Sequence, residues 1–190
     1  MGMAISVPTY TVDDLDKFPN DGNRYELLDG MLLVTPAPSA AHQIIANRLQ
    51  FRLSAAVVAS GHAHVVGPGA IVVRPRTQLE PDILVYPARF SPKLDWHKIS
   101  EHWLAIEVLS RSSRIYDREF KRDAYFALGV QQVWLVDRWD QTVEVCKRRG
   151  SGNLVRDVVR WRAPSVGVIV TIDLAEIFRS RVAAFSERRA

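Results

Sequence analysis

Cysteine is almost absent from this 190-residue sequence: Cys146 is its only one. A lone thiol excludes an internal disulfide framework. The opening stretch MGMAISVPTYT also lacks the basic-then-apolar pattern of a secretion signal, so a cytoplasmic, reducing location is expected. No apolar run approaches the roughly 18 residues that a bilayer requires. The longest, at 55–60 and 103–109, are interrupted early, and no membrane span is expected. There is no glycine-rich phosphate loop ending in Gly-Lys-Ser/Thr, no dinucleotide fingerprint, and no serine between spaced glycines. Nucleotide hydrolases, dehydrogenases and serine hydrolases of those types are therefore set aside. Repeats, low-complexity stretches and linkers are missing too. With 47% hydrophobic and 24% charged residues, the sequence suits a single domain over 1–190. Lys and Arg number 25 against 21 acidic residues, a net charge of +4. That excess leans toward a polyanionic partner, although many ordinary soluble proteins are as basic.

The segments at 24–28 and 31–35 flank Asp29-Gly30, a dipeptide favoured in tight hairpins, and predict a two-stranded N-terminal hairpin. Pro36 and Pro38 break the strand. Ser39 then offers a helix N-cap ahead of Ile44, Ile45, Leu49, Leu53, Val57 and Val58, whose spacing predicts an amphipathic helix to about Ser60. The β-branched runs 70–73 and 83–86, and the apolar run 103–109, read as strands. A helix is expected over 116–128, closed by Gly129, then strands at 133–136 and 142–146. A last strand at 168–172 and a short helix at 173–178 complete an α+β fold with a mixed sheet flanked by helices.

Two carboxylates stand out in this frame. Glu107 lies inside Trp-Leu-Ala-Ile-Glu-Val-Leu, where an unpaired charge would be costly to bury. Asp82 follows Pro81 and opens the run Ile83-Leu84-Val85-Tyr86, a strand end from which a side chain can turn into a cleft. Carboxylates on adjacent strands can hold Mg²⁺, a hard cation with a preference for oxygen. Such an ion activates water and stabilises charge on a phosphate being cleaved. Each residue also has a plainer reading: Asp82 as a strand-end cap, and Glu107 as half of a buried pair with Arg111 or Arg114.

Several further strings occur in order along the chain. They are Tyr25-Glu26-Leu-Leu-Asp29-Gly30, Pro38-Ser39 with His42, Pro81-Asp82, Ile106 to Ser110, Asp117, Lys121, Tyr125, Gly129-Val130, and Val133 to Asp137. No one of them is specific, but the ordered set closely resembles the Uma-type "putative restriction endonuclease" family of the PD-(D/E)XK nuclease superfamily. The likeness runs from Tyr10-Thr11 to Ile177-Phe178. It implies a restriction-endonuclease-like core, DNA as partner, Mg²⁺ or a substituting Mn²⁺ as cofactor, and Asp82 and Glu107 as metal ligands. It also implies a metal-dependent endodeoxyribonuclease, and by analogy a homodimer. The superfamily pattern sets a lysine two residues after the second acid, where this sequence has Leu109. The resemblance suggests Lys121 as substitute, with Asp117, Lys121, Tyr125 and Leu128 at helical spacing. Paired with Asp117, the same lysine would be an ordinary solvated residue. Glu26 is expected near the acidic pair, and His42 near a phosphate or a carboxylate.

Other signals carry less. His62 and His64 would share a strand face and could chelate zinc, but no third ligand lies at supporting spacing. Arg48, Arg52, Arg74, Arg76, Arg111, Arg114, Arg118 and Arg122 are candidates for phosphate contacts, or simply solvated charges. The five tryptophans read mainly as core, with Trp96 or Trp139 able to stack on an unpaired base.

Overall fold

The computed structural model describes residues 9–110, 120–149 and 152–179. After a 3-10 turn at Val12–Lys17, strands β1 (Arg24–Leu28) and β2 (Met31–Thr35) form the expected hairpin. Asp29 and Gly30 turn it with φ of 53° and 85°, the double positive φ of a tight hairpin loop. Helix α1 (Ala40–Val57) follows, and the Ser39 hydroxyl accepts a hydrogen bond from the His42 amide at 3.3 Å. Then come β3 (Ala63–Val66), β4 (Ile71–Val73), β5 (Thr77–Leu79), β6 (Ile83–Pro87) and β7 (Leu104–Val108). Helix α2 (Arg122–Ala127) precedes β8 (Gln132–Asp137), β9 (Thr142–Lys147), β10 (Asn153–Val155), β11 (Val158–Arg162), β12 (Ile169–Asp173) and helix α3 (Leu174–Phe178).

The main sheet has six strands in the order β10-β9-β8-β7-β6-β3, and only β7 and β8 are parallel. A parallel pair needs a crossover connection, and the chain between them carries α2. Strands β6 and β7 are buried at every position because both sheet faces are covered, which explains their continuous apolar sequence. Leu104, Ile106 and Val108 face α1, Trp161 and α3; Ala105 and Leu109 point the other way, toward Tyr125 of α2 and toward Ile71 and Leu79. Glu107 alternates with Ile106 and Val108, so it shares that second face. A four-stranded sheet, β2-β1-β5-β4, brings Ile71 and Leu79 there.

Several elements differ from the sequence reading. Strands β3, β5, β10 and β11 are additional to it. Ile44 and Val58, expected on the inner stripe of α1, are exposed, because the buried row is Ile45, Leu49, Leu53 and Val57 at every fourth residue. The described part of the 116–128 helix is α2, which ends at Gly129 with φ 88°, the left-handed cap expected there. Asp117 lies outside the described residues. Among the described residues, no helix is long and apolar enough to cross a membrane.

One core group is poorly accommodated. Both ring nitrogens of His102 are buried with no hydrogen-bond partner among the described residues. Burial lowers its pKa from 6.5 to about 4, with Glu101 pulling only weakly the other way. Below the unfolded value the unfolded chain takes a proton that the folded chain refuses. Stability is thus fully present above about pH 6.5 and falls by up to about 3 kcal/mol as the pH drops toward the folded value. His102→Phe removes that part of the acid loss, and urea unfolding of both proteins near pH 7 and near pH 4 checks it. An unchanged difference between the two pH values would refute the assignment.

Candidate active site

The antiparallel register sets Ile83 opposite Ile106. One step outward along each strand, Asp82 therefore stands beside Glu107 on the same sheet face. Both are buried, at 7% and 3% exposure. The Asp82 Oδ2 accepts from the Val108 amide at 2.8 Å, a bond that ties the carboxylate to β7. The same oxygen lies 2.9 Å from His42 Nε2, delivered by the first turn of α1. Arg24 of β1 donates to Oδ1 through both terminal nitrogens at 3.2 Å. Burial alone would raise the Asp82 pKa; His42, Arg24 and the Val108 amide outweigh it and hold the carboxyl below the usual range. Burial likewise opposes the charge on Arg24, but the Asp82, Glu107 and Glu26 carboxylates keep it more firmly protonated than a free arginine.

Glu107 is bound from the other side. Its Oε1 accepts from Tyr125 Oη at 2.5 Å and from Lys121 Nζ at 3.2 Å. The lysine is itself buried, and its ammonium also lies 2.7 Å from Glu26 Oε2. That second contact is an ion pair without hydrogen-bond alignment. The remaining Glu26 oxygen accepts from the Glu80 amide at 2.7 Å. Lys121 is therefore no solvated helix residue: it bridges the two sheets between a pair of buried acids.

Asp82, Glu107, Lys121 and His42 line one cavity of about 230 Å³, together with Arg24, Ser39, Leu109 and Arg138. Glu26 does not line it and sits behind Lys121. The N-terminal turn of α1 opens onto this cavity through Ser39 and His42, adding the partial positive charge of a helix start. Among the described residues, no three His, Cys, Asp or Glu side chains form a ready-made metal cage. The donor set nevertheless fits a hard divalent ion. Asp82 and Glu107 supply oxygen on one wall, and Mg²⁺ retains several waters and needs few protein ligands. The charges of Glu26, Asp82 and Glu107 also exceed those of Arg24 and Lys121 by one.

Most of the other candidates lie elsewhere. Arg74 pairs with Asp13, Arg76 with Asp29, Arg52 with Glu176 and Arg122 with Asp123. Arg111, Arg114 and Arg118 fall outside the described residues. His64 Nε2 bonds the Phe90 carbonyl at 3.0 Å, and Trp96 packs edge-on against Tyr86. Trp103, Trp134 and Trp161 are core, whereas Trp139 is half-buried. The sequence reading did not select Arg24 or Arg138 for the site. For Arg24 there was a signal, since Arg24 and Glu26 alternate on one strand and so share a face. Nothing local marks Arg138.

Comparison with solved structures finds a protein of Anabaena variabilis ATCC 29413 described as a "putative nuclease belonging to DUF820". It superposes with a TM-score of 0.71 at 19% identity, over 88% of this chain and 97% of that one, and so shares the restriction-endonuclease-like fold. No curated protein matches the sequence. The sequence model of the Uma2 family, described as "Putative restriction endonuclease", matches residues 12–170. With that match covering most of its length, the chain belongs to the Uma2 family of restriction-endonuclease-type nucleases.

Proposed function

We propose that this chain is a metal-dependent endonuclease that hydrolyses phosphodiester bonds in DNA, with Asp82 and Glu107 holding Mg²⁺ and Lys121 assisting. One observation carries the reading: two carboxylates from neighbouring strands share a sheet face and a cavity with a buried lysine 3.2 Å from the second of them. A divalent ion held there lowers the pKa of water and stabilises charge on phosphate. Around it, the chain's own groups have separate tasks. Arg24 fixes Asp82 and contributes a permanent positive charge to the cavity wall. His42 orients the same carboxylate through Nε2. Lys121, positioned by Glu26 and Glu107, presents an ammonium that can neutralise a phosphate oxygen or orient the attacking water. It thereby takes the part that Leu109, buried against the second core cluster, cannot play.

The test is cleavage of supercoiled plasmid and single-stranded DNA with Mg²⁺, Mn²⁺ or a chelator, beside RNA and a small phosphodiester. Metal-dependent nicking or linearisation of DNA is expected, abolished by the chelator. Preferential hydrolysis of RNA or of the small ester would replace the substrate assignment. Binding of DNA and metal without any cutting would favour a second reading, an inactive DNA-binding protein of the same fold. The absence of a lysine directly after β7, where Leu109 stands, supports that alternative.

A further inference from the structure

Next to the carboxylate cavity lies a larger one, of about 430 Å³, and Arg138 lines both. Its walls come from α1, the turn after β8, and the end of α3, and differ in character from the first site. Ile44 is 49% exposed on the outer side of α1, and Trp139 presents a half-buried indole. The Arg138 guanidinium sits 4.3 Å from the Trp139 ring centroid. Arg48 and Arg179 supply further positive charge, and Gln141 an exposed amide. Arg48 is held in place, since its Nη1 donates to the Ile177 and Arg179 carbonyls, both at 2.8 Å. Among the described residues, no acidic side chain lines this cavity.

We infer that this second cavity is a subsite for one unpaired nucleotide of the DNA strand whose scissile phosphate occupies the carboxylate cleft. The inference rests on the nuclease reading and adds to it a preference for substrates with a single-stranded or openable position. The cavity-lining indole, with the Arg138 guanidinium over its ring and apolar flanks beside it, suits a nucleobase, because any base can stack on an indole or a guanidinium plane and none need be read by its edge. The arginines suit its phosphates, which favour planar, charged forks over point charges. Continuity through Arg138 lets one strand run from the first cavity into the second without crossing an acidic wall. A duplex terminus offers no such base unless it frays, whereas a tail, gap or bubble presents one directly.

The experiment is fluorescence anisotropy with a dye-labelled blunt duplex and the same duplex carrying a short single-stranded tail, in chelator so that nothing is cut. Wild type should bind the tailed duplex more tightly than the blunt one. Trp139→Ala should weaken tailed binding by about tenfold, which brings the ratio of the two affinities close to one, while Trp139→Phe retains most of it. Trp139 also packs against the core, so Ile44→Glu provides a second variant at an exposed helix position that should fold normally. Its carboxylate among the arginines should lower tailed affinity by a similar factor. Equal affinity of wild type for both duplexes, or tailed binding unchanged in both Trp139→Ala and Ile44→Glu, overturns the subsite and leaves the nuclease reading standing. Absence of cleavage in the plasmid assay while the tailed preference persists would instead overturn the nuclease reading, and with it the scissile phosphate, and leave the second cavity as a single-strand binding site. Failure to bind either DNA would remove both.

Discussion

Under the proposed function, Glu107→Gln should leave a folded protein that cuts DNA at least about 10³-fold more slowly than wild type, because a neutral amide oxygen cannot replace a carboxylate under a divalent ion. The fold should survive. Gln keeps one acceptor for Tyr125 and for Lys121, and Lys121 retains Glu26 as counterion. Asp82→Asn should lose activity on the same scale but pay more in stability. Asp82 receives Arg24 on one oxygen and His42 and the Val108 amide on the other, so an Asn amide must turn its own donors toward one of these donor groups. The sign with pH follows from the lowered Asp82 pKa. Its contribution is complete above the ordinary carboxylate range and is lost as the pH falls through the depressed folded value. Single-turnover cleavage at saturating Mg²⁺, with circular dichroism on each variant, separates loss of chemistry from loss of fold. Full activity in Glu107→Gln would remove this carboxylate from the metal site.

Lys121→Met should destabilise the protein by about 3 to 5 kcal/mol, the usual scale for breaking a buried ion pair by removal of one partner. The physical reason is the company the lysine keeps: without its ammonium, Glu26 and Glu107 lose their shared counterion while both stay buried. Neutralising both acids as well, in the triple variant with Glu26→Gln and Glu107→Gln, should return most of the lost stability and none of the activity. Urea unfolding of wild type, single and triple variants gives the answer. A single variant within about 1 kcal/mol of wild type would mean that Lys121 is not the counterion of these acids.

The legible parts of the fold were those with local chemistry behind them. Asp29-Gly30 announced its turn because few other dipeptides tolerate two positive φ values. Strands β6 and β7 showed themselves as unbroken apolar runs, the mark of burial on both faces. By contrast, β5 and β10 have three residues each, too few for a period to emerge. Strand β11 is a different case. Val159 and Trp161 are buried between exposed Val158, Arg160 and Arg162, a clean alternation that sequence reasoning passed over. Asp82 and Glu107 could be singled out as charges in apolar strands. Lys121 could not, except through resemblance, because its burial depends on how α2 docks against a separate sheet. Arg138 gained its place only when two cavities formed around it.

The contact of every acid in the cleft with Arg24 or a shared Lys121 bears on when an ion would be needed. Arg24 and His42 hold Asp82, and Lys121 holds Glu107 and Glu26, using segments more than 50 positions apart, as between Arg24 and Asp82. Small zinc modules fold only around their metal because nothing else offsets their clustered ligands. Here most of the counter-charge is built in, so the polypeptide is expected to reach its final shape without waiting for a divalent ion. On the proposed metal-dependent reading, the ion would then govern only turnover, and its depletion would silence the protein reversibly while leaving it folded.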